Sequence, residues 1–362
     1  MNGFRKRSFG VVLSLLTFGL AWSQLNTSAQ VTPPNGSAAE QPPIELLLPT
    51  EEDKQLARQF AAVTKELDQP FGMARELINS MRSNEWTFLP AILESTKPVN
   101  SRILSRARRY VSRTITRLEA AQKLKPPAPQ SVTALVGKIT IDGKLNELSW
   151  KRARESRIQF LHWEKAKSTA ATARLLWDQE FLYVGFSVPD TNIIAPKMQR
   201  DSEVWRFDCI ELFLMPDKEL GKYWEIEISP TGSILDYLCT KYPNQWGSDM
   251  QAAETIKDLK IGRTIRGTAN QGEGKDDGYI IEVAVPLAQL PGFTQKPEEG
   301  SQIHALLGWV NNDSDATSNA TTSLAQVPFL TWFHNVWAYQ PFIFADERGQ
   351  ISKVKPATVA LP

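Results

Sequence analysis

Helical spacing governs the chain between residues 50 and 125. In "TEEDKQLARQFAAVTKEL", Leu56, Phe60, Val63 and Leu67 recur at intervals of three and four, the spacing of one helix face. Thr50 stands as N-cap with Asp53 three positions on and acids in the first turn. "QPFG" ends this helix, and "MARELINSM" predicts a second, short one. A third is predicted over residues 101–125, with Ile103, Ala107, Tyr110, Ile115 and Leu118 as its apolar face. Residues 126–130, "PPAPQ", then read as a stiff extended linker.

Beyond the linker the pattern changes to short apolar or alternating runs bounded by turn residues. "LVGKITIDG", "TARLLW", "FLYVGFSV", "CIELFLM", "YWEIEIS", "SILDYLC", "YIIEVAVP" and "IHALLGWV" are the clearest strands. They predict an all-β fold over residues 131–352, an antiparallel β-sandwich of immunoglobulin or jelly-roll type, preceded by the small α-helical region. One run poses a problem. "VWRFDCIELFLMP" (204–216) has the apolar density of an interior strand, yet it carries Trp205, Asp208 and Glu211.

Composition narrows the function. Lys and Arg total 41 against 40 Asp and Glu, so no whole-protein field favours nucleic acid. The basic charge is nevertheless uneven. Residues 101–125 hold eight basic side chains and one acid, Glu119, which fits either a solvated arginine face or contact with a membrane or envelope surface. Residues 1–29 have a basic start and an apolar run from Phe9 to Trp22, the layout of a secretory signal peptide. A leader at 30–49 and a tail at 353–362 flank the predicted domains. The expected location is therefore secreted, periplasmic or in the cell envelope.

Export permits disulfides, and the only cysteines, Cys209 and Cys239, read equally as a pair or as two core thiols. Their number and the three histidines match no usual structural zinc spacing. Asn312, Asp313 and Asp315 in "VNNDSDATSN" offer hard oxygen donors that suit calcium, or simply a polar turn. Eleven tryptophans supply either core or flat stacking surfaces. In a regular strand Trp205 and Glu211 share a face and Asp208 takes the other, so the three converge only if Trp205 enters from a loop or a bulge intervenes.

The order of "KITIDGKLNELSWKRA", "ATARLLWDQEFLYVGFSVPD", "VWRFDCIELFLMP", "YWEIEISPTGSILD", "GYIIEVAVPLAQL" and "WAYQPFIFADERG" resembles the carbohydrate-binding module family 9-like domain, over about residues 133–352. The resemblance implies a β-sandwich that binds a poly- or oligosaccharide, in the company of polysaccharide-degrading enzymes, with calcium supporting the fold. It implies sugar contacts at Trp205, Asp208, Glu211 and Glu225, and a second clamping indole at Trp337, with Trp332 as its rival. Glu225 and Glu227 stand where glucan binders of that family carry basic and amide side chains. No catalytic residue is assigned. A glycosidase needs two carboxyl groups, a condition that 40 acids meet easily, but neither G-x-S-x-G nor H-E-x-x-H occurs. A haem-binding redox module remains open through His162, His304, His334, Met198, Met215 and Met250, as does a structural role in the envelope.

Overall fold

Thr50 and Asp53 close the capping box that the sequence predicts. The Thr50 N–H donates to Asp53 Oδ2 at 2.7 Å, and the Asp53 N–H donates to Thr50 Oγ1 at 3.3 Å. They begin helix α1 (Glu51–Glu66) in the computed structural model, which describes residues 45–66, 88–123, 126–161, 165–217, 221–240, 250–251, 254–272, 276–293, 296–313, 321–329, 333–334 and 336–352. The segment "MARELINSM" lies outside the described residues. Two further helices follow, α2 (Leu89–Leu93) and α3 (Ser101–Lys123), with a short antiparallel pair, β1 (Leu46–Leu47) and β2 (Val99–Asn100), beside them. The buried stripe of α3 is Leu104, Ala107, Val111, Ile115 and Leu118, while Ile103 and Tyr110 sit half-buried at its edge. Ala107, Ile115 and Leu118 are the predicted members, and Leu104 and Val111 complete the stripe. Arg108 spans from α3 to the buried Asp53, with bonds of 2.5 and 2.7 Å to its two oxygens.

Thirteen strands make the β domain. The first seven are β3 (Gln130–Ala134), β4 (Glu155–Leu161), β5 (Lys165–Trp177), β6 (Phe181–Val188), β7 (Cys209–Met215), β8 (Tyr223–Ile228) and β9 (Ile234–Cys239). The remainder are β10 (Met250–Gln251), β11 (Lys260–Arg266), β12 (Gly278–Pro286), β13 (Gln302–Asn312), β14 (Thr321–Ala325) and β15 (Gln340–Phe344). A single hydrogen-bonded path runs β10-β9-β8-β7-β13-β14-β4-β5-β6-β12-β11. Strands β3 and β15 join β5 back to β13, so six strands close a ring. Neighbours are antiparallel except where β3 lies parallel to β15 and to β5. The domain is thus mostly β, as the runs predict, with six strands closed into a ring, two parallel pairings and further strands extending from it.

The predicted strand "LVGKITIDG" is not a strand. β3 instead begins at Gln130, within the stretch read as linker, and Leu135–Gly143 is irregular. Its backbone donors find a side chain in place of a ladder. Asp142 N–H and Gly143 N–H both donate to Glu282 Oε2, at 2.8 and 2.5 Å, and the Trp150 indole donates to Glu282 Oε1 at 2.8 Å. Trp150 lies on α4 (Leu148–Arg152) and is fully buried. Gly262 on β11 permits the close approach, since a Cβ there would meet the Ile141 carbonyl carbon at 2.5 Å.

The main core lies between the layers and includes Ile210, Leu212 and Leu214 of β7, Trp224, Ile226 and Ile228 of β8, and Val283 and Val285 of β12. A second core lies on the opposite face of β7–β9 and β13. There Cys209, Phe213, Met215, Tyr223, Tyr237 and Cys239 meet Val327, Phe329, Phe333, Val336 and Tyr339 from the chain after β14. Both faces of β7 are therefore buried, which accounts for its unbroken apolar density. Both cysteines are buried and form no disulfide, and β8 separates their strands, so the disulfide reading is corrected.

Candidate functional site

Antiparallel register brings the acids of β7 and β8 to one place. Glu211 is the direct partner of Glu227, and Glu225 is the partner of Phe213 two positions further along. Alternation puts Glu211, Glu225 and Glu227 on the same face, that of the second core. Carboxylate oxygens of all three lie within 4.8 Å of one another. Each is buried, with exposures of 5, 3 and 1%. Gly308 of β13, register partner of Glu211, leaves room for the cover: a Cβ there would meet Phe333 Cε2 at 2.7 Å.

Strand β9 and the covering chain add polar groups. Tyr237, register partner of Glu225, donates its hydroxyl hydrogen to Glu225 Oε2. His334 Nε2 stands 3.5 Å from the same oxygen, and its Nδ1 is 2.8 Å from the Tyr223 hydroxyl. The edge of the His334 ring faces Phe213 at 5.3 Å between centroids. Glu227 lies against Glu211 and Glu225. Burial pushes the Glu211 carboxyl well above the usual carboxylate range, and the charge of Glu225 adds to it. Glu227 is raised in the same way, first by burial and then by Glu211 and Glu225. Tyr237 is likewise held protonated, by burial and then by Glu225.

Trp205 enters from a 3-10 turn, Val204–Arg206, immediately before β7. It is 44% exposed, whereas Trp150, Trp177, Trp224 and Trp309 are all buried. The Arg206 guanidinium lies over its ring, 4.7 Å from the centroid. Trp205 thus enters from a turn outside the strand and is exposed, while Glu211 is buried within β7. Asp208 points to the other side of the strand. Asp208 is fully buried and accepts the Ile194 N–H at 2.5 Å and the Asn312 N–H at 2.6 Å. Burial and then the neighbouring Asp190 push its carboxyl up to about 8. It anchors two loops rather than lining the Trp205 surface. Trp337 lies in the 3-10 turn Val336–Ala338, but its side chain, like all of Trp332, falls outside the described residues.

For metal ions the donors divide. Asn312 and Asp313 are engaged locally, through Asn312 to Arg206 O at 2.7 Å and Asn311 to Asp313 at 2.5 Å, and Asp315 is outside the described residues. The closely grouped donor sets among the described residues are Glu211, Glu225 and Glu227, and Glu225, Cys239 and His334. The sequence reading named Glu225 but missed Tyr237, Cys239 and His334 as its neighbours. His304 and Met215 are register partners that project side by side, the placement of neighbours rather than of opposed axial haem ligands. His162 is outside the described residues.

On α3, Ser101, Arg102, Ser105, Arg106 and Arg109 line a shallow depression of about 460 Å³. Among the described residues no helix is long and apolar enough to cross a membrane.

A search of curated proteins finds no match. Among solved structures, a protein of Bacteroides uniformis is similar at 14% identity over 60% of this chain and 99% of its own, with a TM-score of 0.47. A family 9 carbohydrate-binding module of Caldicellulosiruptor kristjanssonii in complex with cellotriose is similar at 15% identity, over 60% of this chain and 94% of its own, with a TM-score of 0.43. The module from the same organism in complex with glucose gives 17% identity, 62% and 100% coverage, and a TM-score of 0.40. The family model "Carbohydrate family 9 binding domain-like" matches residues 141–333, more than half of the chain, and the protein belongs to that family.

Proposed function

We propose that the protein is an exported, non-catalytic carbohydrate-binding protein that engages a poly- or oligosaccharide in a polysaccharide-degradation setting. The observation that carries this reading is the exposed indole of Trp205, presented by the turn Val204–Arg206 ahead of β7, whereas Trp150, Trp177, Trp224 and Trp309 are buried. A pyranose presents a C–H face that stacks on an aromatic ring, and a rim of hydroxyls that seeks polar partners. Trp205 offers the first surface. The flanking Arg206 and Glu203, both exposed, offer charged partners for the second. Trp337 is the proposed opposing indole.

Glu211 and Glu225 are too deeply buried beneath the cover to meet the sugar first, and they act as the floor on which the Trp205 turn rests. Asp208 ties Ile194 to Asn312, whose side chain in turn bonds Arg206 O of that turn. Export rests on the basic and apolar pattern of residues 1–29, and calcium on the oxygen donors Asn312, Asp313 and Asp315. The test is a glycan array probed with the chain, with and without calcium. Saturable retention of at least one glycan family, competed by the free oligosaccharide, is the expected result. Uniform absence of retention in both conditions would overturn the reading.

A further inference from the structure

We propose that Glu225, Cys239 and His334 form a binding site for one divalent cation of zinc's class, with the carboxylates of Glu211 and Glu227 supplying negative charge behind it. The proposal is independent of carbohydrate binding.

Four observations converge on it. The donor atoms of Glu225, Cys239 and His334 already lie within 4.8 Å of one another. Bonds of about 2.0–2.1 Å to imidazole and carboxylate give a tetrahedral ligand-to-ligand edge of about 3.4 Å. His334 Nε2 and Glu225 Oε2 stand 3.5 Å apart, long for a charge-assisted hydrogen bond and close to that edge. A thiol, an imidazole and a carboxylate together favour zinc over calcium or magnesium, which take oxygen donors.

The supporting groups match what a metal site needs. Metal-ligating histidines use the second ring nitrogen to bond a fixed partner, which sets the tautomer and aims the first. His334 Nδ1 is so engaged by the Tyr223 hydroxyl at 2.8 Å, leaving Nε2 on the Glu225 side. The ligating carboxylate is oriented in turn by Tyr237. His334 is 24% exposed, so an ion has a way in.

The cluster also lacks a counter-charge. Among the described residues no lysine or arginine pairs with Glu211, Glu225 or Glu227. Asp236, on the other face of β9 and equally buried, does have such a partner in Arg200. Glu227, 1% exposed, keeps one carboxylate oxygen with no hydrogen-bond partner. A buried carboxylate without a cation or a donor is costly, and a bound divalent ion removes that cost. Binding would displace the thiol proton of Cys239 into solvent, since the thiolate is the form that ligates.

The experiment uses the full chain treated with a chelator and titrated with Zn²⁺ against a chromophoric competitor, without sugar. Uptake of one equivalent with release of protons is expected. Co²⁺ in place of Zn²⁺ should show the near-ultraviolet charge-transfer band of a cobalt–thiolate bond. Cys239→Ser should abolish that band, while Cys209→Ser should keep it. Tyr237→Phe, which removes only the orienting hydroxyl, should weaken affinity by about 10- to 100-fold. His334→Ala, at a partly exposed position, guards against variants that fail to fold, and it too should lose affinity. No saturable uptake by the parent chain, or Co²⁺ bound without a thiolate band, overturns the proposal. So does a Cys239→Ser protein that binds as the parent does.

Discussion

Replacing Trp205 by alanine separates a sugar-stacking indole from one that merely closes the rim of the fold. Trp buries up to about 250 Å² when fully covered, so the 44% that is exposed leaves roughly 110 Å² for a ligand. At about 25 cal/mol/Å² that area is worth at most about 2.8 kcal/mol. A pyranose covers one face of the ring and not its edges, so about 1.5–2 kcal/mol is the expected loss, within the range of an interface anchor. This is roughly a 10- to 30-fold weaker affinity. The backbone bonds of the turn, Arg206 N–H to Glu203 O at 3.2 Å and Phe207 N–H to Val204 O at 3.0 Å, do not involve the indole, so the turn keeps its shape in the variant. Isothermal titration with an array-identified oligosaccharide, well below the melting transition of both proteins, reads the effect directly. Trp205→Phe should recover part of the loss. An affinity within two-fold of the parent for Trp205→Ala would refute the stacking role and leave the indole as a rim residue.

Other consequences are structural. Glu282→Gln cannot satisfy Asp142 N–H, Gly143 N–H and the Trp150 indole together, because its amide nitrogen must face one of these donors; a loss of about 2–4 kcal/mol is expected, seen as a thermal midpoint lower by roughly 5–15 °C. Gly278→Ala should destabilise the protein in chemical denaturation, because Gly278 has a φ of 107° and a Cβ there would meet the Val188 carbonyl oxygen at 1.9 Å. The Asp53 carboxyl is held down to about 2 by its bond to Arg108. A depressed carboxyl contributes stability above its unfolded value near 3.8 that is lost as pH falls from there toward 2, so the helical segment should weaken by about 1–2 kcal/mol over that window, and Asp53→Asn should abolish the pH dependence. A fragment of residues 126–362 should fold alone, read by its near-ultraviolet circular dichroism, because the helical cluster and the β cores share no residue.

Strands whose pattern is set by burial were the most legible. "CIELFLM" and "FLYVGFSV" coincide with β7 and β6 to the residue, because an apolar run bounded by turns admits no other pairing length. β3 was hidden behind prolines, and its parallel pairing to β15 and β5 depends on residues some 40 to 210 positions away. Local propensity carries no such information. The "ITIDG" segment failed for a different reason. It alternates as a strand does, but its donors go to one distant carboxylate, Glu282, and a polar side chain that replaces a ladder leaves no periodic trace. On α3, Ala107, Ile115 and Leu118 are buried as predicted, and Leu104 and Val111 complete the stripe, with Tyr110 packed at the edge of the same cluster.

The acids of "VWRFDCIELFLMP" were legible as an anomaly, but their arrangement was not. Parity alone assigns Glu211 to the face opposite Ile210 and Leu212, and the same count aligns Tyr223, Glu225 and Glu227, then Tyr237 and Cys239. That signal was available and would have grouped six of the seven members of the site. The seventh, His334, arrives with a covering segment about a hundred residues later, and that cover turns an open sheet face into a buried one. Once it is in place, Glu211, Glu225 and Glu227 are buried together, while the turn ahead of β7 carries Trp205 out to solvent. An interior strand tolerates these carboxylates because the Tyr237 hydroxyl donates to Glu225, and because burial favours the neutral form of Glu211 and Glu227, whose carboxyls are pushed well above the usual range.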